Sequence, residues 1–194
     1  MGFKEANRWD KSEISYQNYQ EYIRNKTDYF KLTFIDLLYI SNFKGGNATI
    51  NERESVINQR LIHYSDGFKE IDKSYHGRII SYLSEGEIDD LIKMVEEIVR
   101  LTDKESLHSK IDGFSSSYLS ALLNSHFPDL IPILDRRLLI NLVLVTKSDE
   151  DSQGQIKNIK SFYGSLIKRF AEIVKESGKS IRETDKEYFS KSIK

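Results

Sequence analysis

The sequence predicts an all-α protein, and three observations carry that expectation. Apolar residues recur at helical spacing along most of the chain, and capping residues and glycines punctuate them at helix-length intervals. No pair of alternating segments flanks a hairpin turn, which removes the usual signature of a sheet. The chain has 194 residues, enough for a sizeable core in one all-helical domain spanning 1–194, or in two small lobes.

The elements follow in order. Tyr16, Tyr19 and Ile23 mark a first helix. Thr27-Asp28 can cap a second that runs to about Ile40, and Lys44-Gly45-Gly46-Asn47 ends it. Thr49, with Glu52 three residues on, reads as a capping box for the next. Residues 64–78 look less regular, with Gly67 and Gly77 flanking Tyr75-His76. Ile88, Leu91, Ile92, Val95, Ile98 and Val99 form one stripe of a clear amphipathic helix. A short helix from Glu105 to Lys110 then precedes a second, Ser116 to about His126, and a very apolar third, Arg136 to Val145. Residues 146–154 form a polar, exposed link. Apolar spacing from Ile156 to Val174 marks a long helix, with Lys175 in its last turn and Gly178 as its stop.

Composition excludes several function classes. There is no cysteine, so a disulfide framework, a thiolate zinc site, a cysteine nucleophile and a cysteine-held iron–sulfur cluster are ruled out. No apolar run approaches the roughly 18–20 residues of a membrane span. The opening Met1-Gly2-Phe3-Lys4-Glu5-Ala6 lacks an apolar signal region, and Ala6 stands where myristoylation wants Ser or Thr. The expectation is a soluble cytoplasmic protein without a membrane partner, in which the sequon Asn47-Ala48-Thr49 is irrelevant. His63, His76, His108 and His126 show no metal-ligand spacing, and neither metal nor cofactor is expected. The formal charge is -1, but it is unevenly distributed. Residues 85–105 carry eight acids against three bases, and residues 155–194 ten bases against five acids. Such polarity can present one basic face to a phosphate backbone, or can be two solvated helix faces of opposite sign.

The chemistry-bearing stretch is 105–145. Ile111-Asp112-Gly113-Phe114-Ser115-Ser116-Ser117 opens a helix, and Phe127-Pro128-Asp129-Leu130-Ile131-Pro132-Ile133-Leu134-Asp135 leads to the next. The chain's two prolines both lie in that connector, so it reads as a stiff, extended run that fixes where Asp135 points.

These residues resemble the helix-hairpin-helix DNA glycosylases of the endonuclease III superfamily, over about forty residues. There a hairpin Leu-Pro-Gly-x-Gly-x-x-(Ala/Thr) opens a helix, and a connector leads to a catalytic aspartate at the start of the following one. Residues 111–117 lie on that hairpin without a gap, and Asp135 then falls on the aspartate. Residues 181–189 also look like the closing segment of bacterial proteins with this core. Two departures stand out. The second glycine is Ser115, and Ser117 occupies the place of the Schiff-base lysine of bifunctional members. A hydroxyl cannot form an imine with C1′, so the resemblance implies a monofunctional enzyme without lyase activity by that route. It also implies duplex DNA with a modified base as the partner, and it invites a sharper expectation: anti-phage defence against modified cytosines such as glucosylated hydroxymethylcytosine.

The site chemistry follows from the residues themselves. Breaking an N-glycosidic bond builds positive charge on the sugar, which a carboxylate beneath it stabilises while orienting water. Asp135 at a helix N-terminus is placed for that task, and the dipole favours its ionised form. N–H groups after Gly113, those of Ser115, Ser116 and Ser117, can hold a phosphate, and Arg136 or Arg137 a second. The target base must leave the stack for a pocket. Trp9, Tyr16, Tyr19 and Tyr22 can form a stacking wall or ordinary core, and Lys157, Lys160, Lys168 and Arg169 a DNA-facing strip or a solvated face. Each site residue has a plainer reading too: Asp135 as a helix cap, Gly113 as a helix stop, the arginines as surface charges. The alternative function is a non-catalytic helix-hairpin-helix DNA-binding module. An all-α protein-binding domain would instead show no salt-dependent DNA affinity.

Overall fold

A computed structural model describes residues 2–45 and 50–191. Among the described residues, eight α-helices follow one another: α1 Gly2–Arg24, α2 Phe34–Phe43, α3 Glu54–Tyr75, α4 Glu85–Arg100, α5 Ser116–His126, α6 Arg136–Asn141, α7 Tyr163–Ser177 and α8 Ile181–Ser190. Three short 3-10 turns lie at Ile80–Tyr82, Lys147–Asp149 and Ile159–Phe162. Among the described residues there is no strand, and an isolated bridge joins Glu150 and Ile156. The all-α expectation is met. No described helix is long and apolar enough to cross a membrane.

At the centre is α5, with every residue from Leu119 to His126 buried. A helix enclosed on all sides must satisfy its own polar groups. Ser125 donates to the Ala121 carbonyl at 2.8 Å, and Asn124 Nδ2 donates to the Ile131 carbonyl at 2.7 Å. α1 and α2 pack against α5 on one side and carry Tyr16, Tyr19, Ile23, Leu37 and Ile40 into the core.

Helix α2 starts five or six residues later than the Thr27-Asp28 cap predicts. The Asp28 carboxylate accepts the Phe30 N–H at 3.2 Å, and that local turn competes with helix formation. Thr33 caps instead: the Asp36 carboxylate reaches back to its N–H at 2.7 Å and its hydroxyl at 3.0 Å. Asp36 is fully buried and also takes the Tyr19 hydroxyl and the Lys26 ammonium, each at 2.9 Å. Burial, reinforced by the Asp36 charge, pushes the Tyr19 phenol well above its ordinary value, so it remains a donor.

Further departures have local causes. Thr49 lies outside the described residues, and α3 begins at Glu54 after Arg53, while Glu52 turns to Arg60 and to the Asp112 N–H. Residues 64–75 are regular helix rather than irregular. Gly67 is the reason that segment packs: a Cβ there would sit 2.6 Å from Ile98 Cγ1, so α3 and α4 approach over a bare backbone. Gly67→Ala is expected to lower stability by about 1–3 kcal/mol through overpacking, although alanine is the better helix former, as chemical denaturation would show. Residues 105–110 are turns, not a helix. Ser106 and Ser109 hydroxyls hold the Arg100 and Leu101 carbonyls, and the Tyr64 hydroxyl bonds the Leu101 and Ser109 carbonyls. The α6 helix stops at Asn141, short of Val145. The chain turns there through Val143 at φ 57, closed by Leu144 N–H donating to the Leu139 carbonyl at 2.9 Å. At the far end, α4 has the Ser84–Glu87 capping box, α7 stops at Gly178 with φ 69, and α8 is capped by Ser180.

His126 sits in a cage of Tyr19, Tyr29, Phe30 and Phe68. Its Nδ1 lies 3.0 Å from the Leu122 carbonyl, an acceptor only, so that nitrogen carries the proton. Burial lowers the imidazole from its ordinary 6.5 to about 4. Between those pH values the unfolded chain binds a proton that the folded chain refuses, so stability falls as pH falls through 6.5 toward 4. The expected size is about 3 kcal/mol over the window. It is read as the difference in urea stability between wild type and His126→Phe across pH 4–7, which cancels every other titrating group.

Candidate functional site

The hairpin segment does form a tight turn. Gly113 adopts φ 78, a conformation that favours glycine, and the Phe114 N–H donates to the Ile111 carbonyl at 3.1 Å. Glu52 anchors the loop from outside by accepting the Asp112 N–H at 2.8 Å. Lys110 Nζ donates to the Phe114 carbonyl at 3.0 Å, and burial pulls that ammonium below its ordinary range. Gly113 and Ser115 are exposed, Ser117 is half-buried and Ser116 is buried. Ser115 occupies the N-cap position of α5 but makes no side-chain cap. The first-turn N–H groups of α5 therefore have no capping bond from Ser115, the opening an anion can fill. The turn lacks the preceding helical arm, since 105–110 are turns.

From α5 the geometry runs directly to Asp135. Ser117 Oγ donates to the Leu134 carbonyl at 3.2 Å, and the Leu134 N–H donates to Ser120 Oγ at 2.9 Å. Asn124 holds Ile131, and the Tyr163 hydroxyl of α7 holds the Pro132 carbonyl at 2.8 Å. The connector is extended because two prolines restrict it, and it is immobilised because buried polar side chains take its backbone groups. Asp135 leaves this run as the N-cap of α6, its Oδ1 accepting the Arg137 N–H at 2.8 Å.

The second carboxylate oxygen meets a partner with no local signal in the sequence. Lys44, the C-cap residue of α2, places Nζ 3.3 Å from Asp135 Oδ2, with the side chains 14% and 24% exposed. Behind them lies Asp185 on α8, buried and held by Arg182 at 2.8 Å. Burial, the largest influence, pushes the Asp185 carboxyl up to about 6; Asp135 also raises it, against the opposing pull of Arg182 and Lys44. Arg182 extends the cluster to Glu13 on α1 at 2.7 Å, and its guanidinium lies 4.3 Å from the Trp9 ring and 4.4 Å from Tyr16. Four helices thus converge on a site that joins residues 13, 44, 135, 182 and 185.

The aromatic residues divide. Trp9 and Tyr16 clamp Arg182 beside the site, whereas Tyr19 is fully buried core, and Tyr22 stacks on Tyr39 at 4.9 Å. The two arginines after Asp135 have protein partners. Arg136 lies 3.8 Å from Glu150, and Arg137 donates to the Phe189 carbonyl at 3.1 Å with its guanidinium over that ring. The basic segment near the C-terminus is partly neutralised by the acidic one it packs against: Lys168 pairs with Asp89 at 2.6 Å, and Lys160 pairs with Asp103. Arg169 pairs with Glu172 within its own helix, and Lys157 donates to the Ser148 carbonyl. That segment is therefore not a free cationic strip. Among the described residues no group of three or more His, Asp or Glu side chains converges as a metal site.

The sequence assigns no site role to Lys44, Arg182 or Asp185: Lys44 reads as part of the helix stop 44–47, and Arg182 and Asp185 fall in the segment 181–189, singled out only for its resemblance to a closing segment. No family model, curated protein or solved structure matches the chain.

Proposed function

We propose that the chain is a DNA N-glycosylase acting on a modified base in duplex DNA and leaving an abasic site, with Asp135 as the carboxylate beneath the sugar. The observation that carries this reading is the path from the Gly113 turn to Asp135. One helix, α5, presents uncapped N–H groups at its start, and its side chains staple the connector that aims the carboxylate. A phosphate held at the first place and a sugar at the second is the geometry that excision of a flipped nucleotide needs. In the reaction, water adds to C1′ while the base leaves with the bonding electrons; Asp135 stabilises the positive sugar and takes the water's proton, which it returns to solvent as the departing base takes one proton up from solvent. Ser117 offers no amine, so no imine forms at that position. Defence against phage DNA with glucosylated hydroxymethylcytosine is the sharper form of the same reading.

A binding-only module is the second reading, favoured by one observation: both Asp135 oxygens already have partners, the Arg137 N–H and Lys44. One experiment separates the two. Wild type and Asp135→Asn are incubated with duplexes carrying uracil, alkylated and oxidised bases, and glucosylated hydroxymethylcytosine, and with the matching phage genomic DNA. Released bases are measured by mass spectrometry and abasic sites by alkali cleavage. Release that requires Asp135 supports the enzyme. Salt-dependent binding without release from any DNA supports the module.

A further inference from the structure

We infer that Asp185 is a positioning residue for the reaction, one that sets the net charge presented to the sugar from where α8 packs against α6, with Arg182 as its own partner and Lys44 as that of Asp135. The inference rests on the glycosylase reading and deepens it. A carboxylate meant to stabilise a cationic sugar is compromised by an ammonium 3.3 Å away, because the pair together presents little net charge. The surrounding groups decide whether that quenching is complete.

The charges can be followed element by element. Helix α1 contributes Glu13 and the Tyr16 phenol, which burial keeps neutral. The end of α2 contributes Lys44, and α6 contributes Asp135, with Arg137 engaged at Phe189. On α8 itself stands Arg182, bonded to both Glu13 and Asp185. The charges acting on Asp185 are, in order, Arg182, Asp135 and Lys44, and α7, although packed against α8, supplies none of these three. With Asp185 protonated, the ion-paired groups are two cations, Lys44 and Arg182, against two carboxylates, Asp135 and Glu13, and the charge of Arg137 is the same in either state. With Asp185 ionised, the same two cations face three carboxylates, and the surroundings of Asp135 carry one more negative charge. A nascent sugar cation gains from the second state and little from the first. Since burial places Asp185's ionisation near pH 6, the two charge states exchange between about pH 5 and 7.

The test is single-turnover base release, at saturating enzyme, on the panel duplex that wild type cleaves, from pH 5 to 8. Wild type is expected to gain about tenfold, the Henderson–Hasselbalch change for one group titrating near 6, between pH 5 and 7. Asp185→Asn holds the cluster in its protonated charge state. It should be at least tenfold slow at pH 7.5 and lose the rise, while helix content by circular dichroism is kept. Adding Lys44→Gln to that variant restores the excess negative charge and should recover most of the rate. A structural role alone would give neither the lost pH rise nor the rescue. Lys44→Gln alone, which does not depend on the Asp185 variant folding, should raise the rate at pH 5 toward its pH 7 value. A flat wild-type profile, an unchanged rise in Asp185→Asn, or no gain at pH 5 in Lys44→Gln overturns the inference and leaves the glycosylase reading standing. No base released by wild type from any duplex overturns both.

Discussion

Asp135→Asn is expected to lower base release by about a hundredfold to a thousandfold, the loss seen when one preorganised electrostatic stabiliser is removed. The substitution is chosen because it separates two roles that the same side chain holds. Asparagine caps a helix nearly as well as aspartate, so the bond to the Arg137 N–H survives in kind. The ion pair to Lys44 is one 3.3 Å contact between side chains 14% and 24% exposed, and the flexible lysine stem lets the ammonium turn to water when the opposing charge is removed. Thermal stability should therefore move only slightly, and DNA affinity should hold or rise because a negative charge is gone from the interface. Activity lost without stability lost places the charge of Asp135 in the chemistry. Activity and stability lost together would mean that the residue serves the fold.

The largest expected effect on stability lies elsewhere, at Asp36→Ala. This fully buried carboxylate has four partners: the Lys26 ammonium, the Tyr19 hydroxyl, and the Thr33 N–H and hydroxyl. Removing it strands a cation whose side chain is 8% exposed and takes the acceptor from the buried Tyr19 hydroxyl and from the part-buried Thr33 N–H and hydroxyl. Breaking a buried pair from one side costs about 3–5 kcal/mol, a large share of the stability of a domain this size. Equilibrium urea denaturation measures it. Asp36→Ala combined with Lys26→Met should recover part of the loss, since an apolar pair leaves no uncompensated charge. A loss of under 1 kcal/mol in the single variant would show that Lys26 escapes to water when its partner is removed.

Several elements were legible from local pattern alone. The stripe from Ile88 to Val99, the stop at Gly178 and the span 116–126 all appear where the spacing places them. Each is encoded within a few turns: a 3.6-residue period, a residue that tolerates left-handed φ, a run between turn signals. The misreadings have other causes. The Thr27-Asp28 start loses to a competing local bond, the Asp28 carboxylate on the Phe30 N–H, whereas the helix at 105–110 and the irregularity at 64–78 turn on partners brought from elsewhere. Tyr64 captures the Leu101 and Ser109 carbonyls from 37 and 45 residues away, and Gly67 reads as a breaker until Ile98 is seen against it.

The candidate site divides along the same line. Sequence by itself determined an all-helical chain, a glycine turn opening a helix at Ser116, and a proline-stiffened run that ends in a capping aspartate at 135. Those are properties of neighbouring residues, and backbone sterics and hydrogen bonding act at that range. Only the tertiary structure decided what surrounds Asp135. Lys44 arrives from 91 positions away, and Arg182 joins Glu13 across 169. Burial of Asp185 between packed helices, which no local pattern encodes, is what raises its carboxyl. Charge is written in the sequence, but its effect depends on distance and on exclusion of water, and both are set by packing.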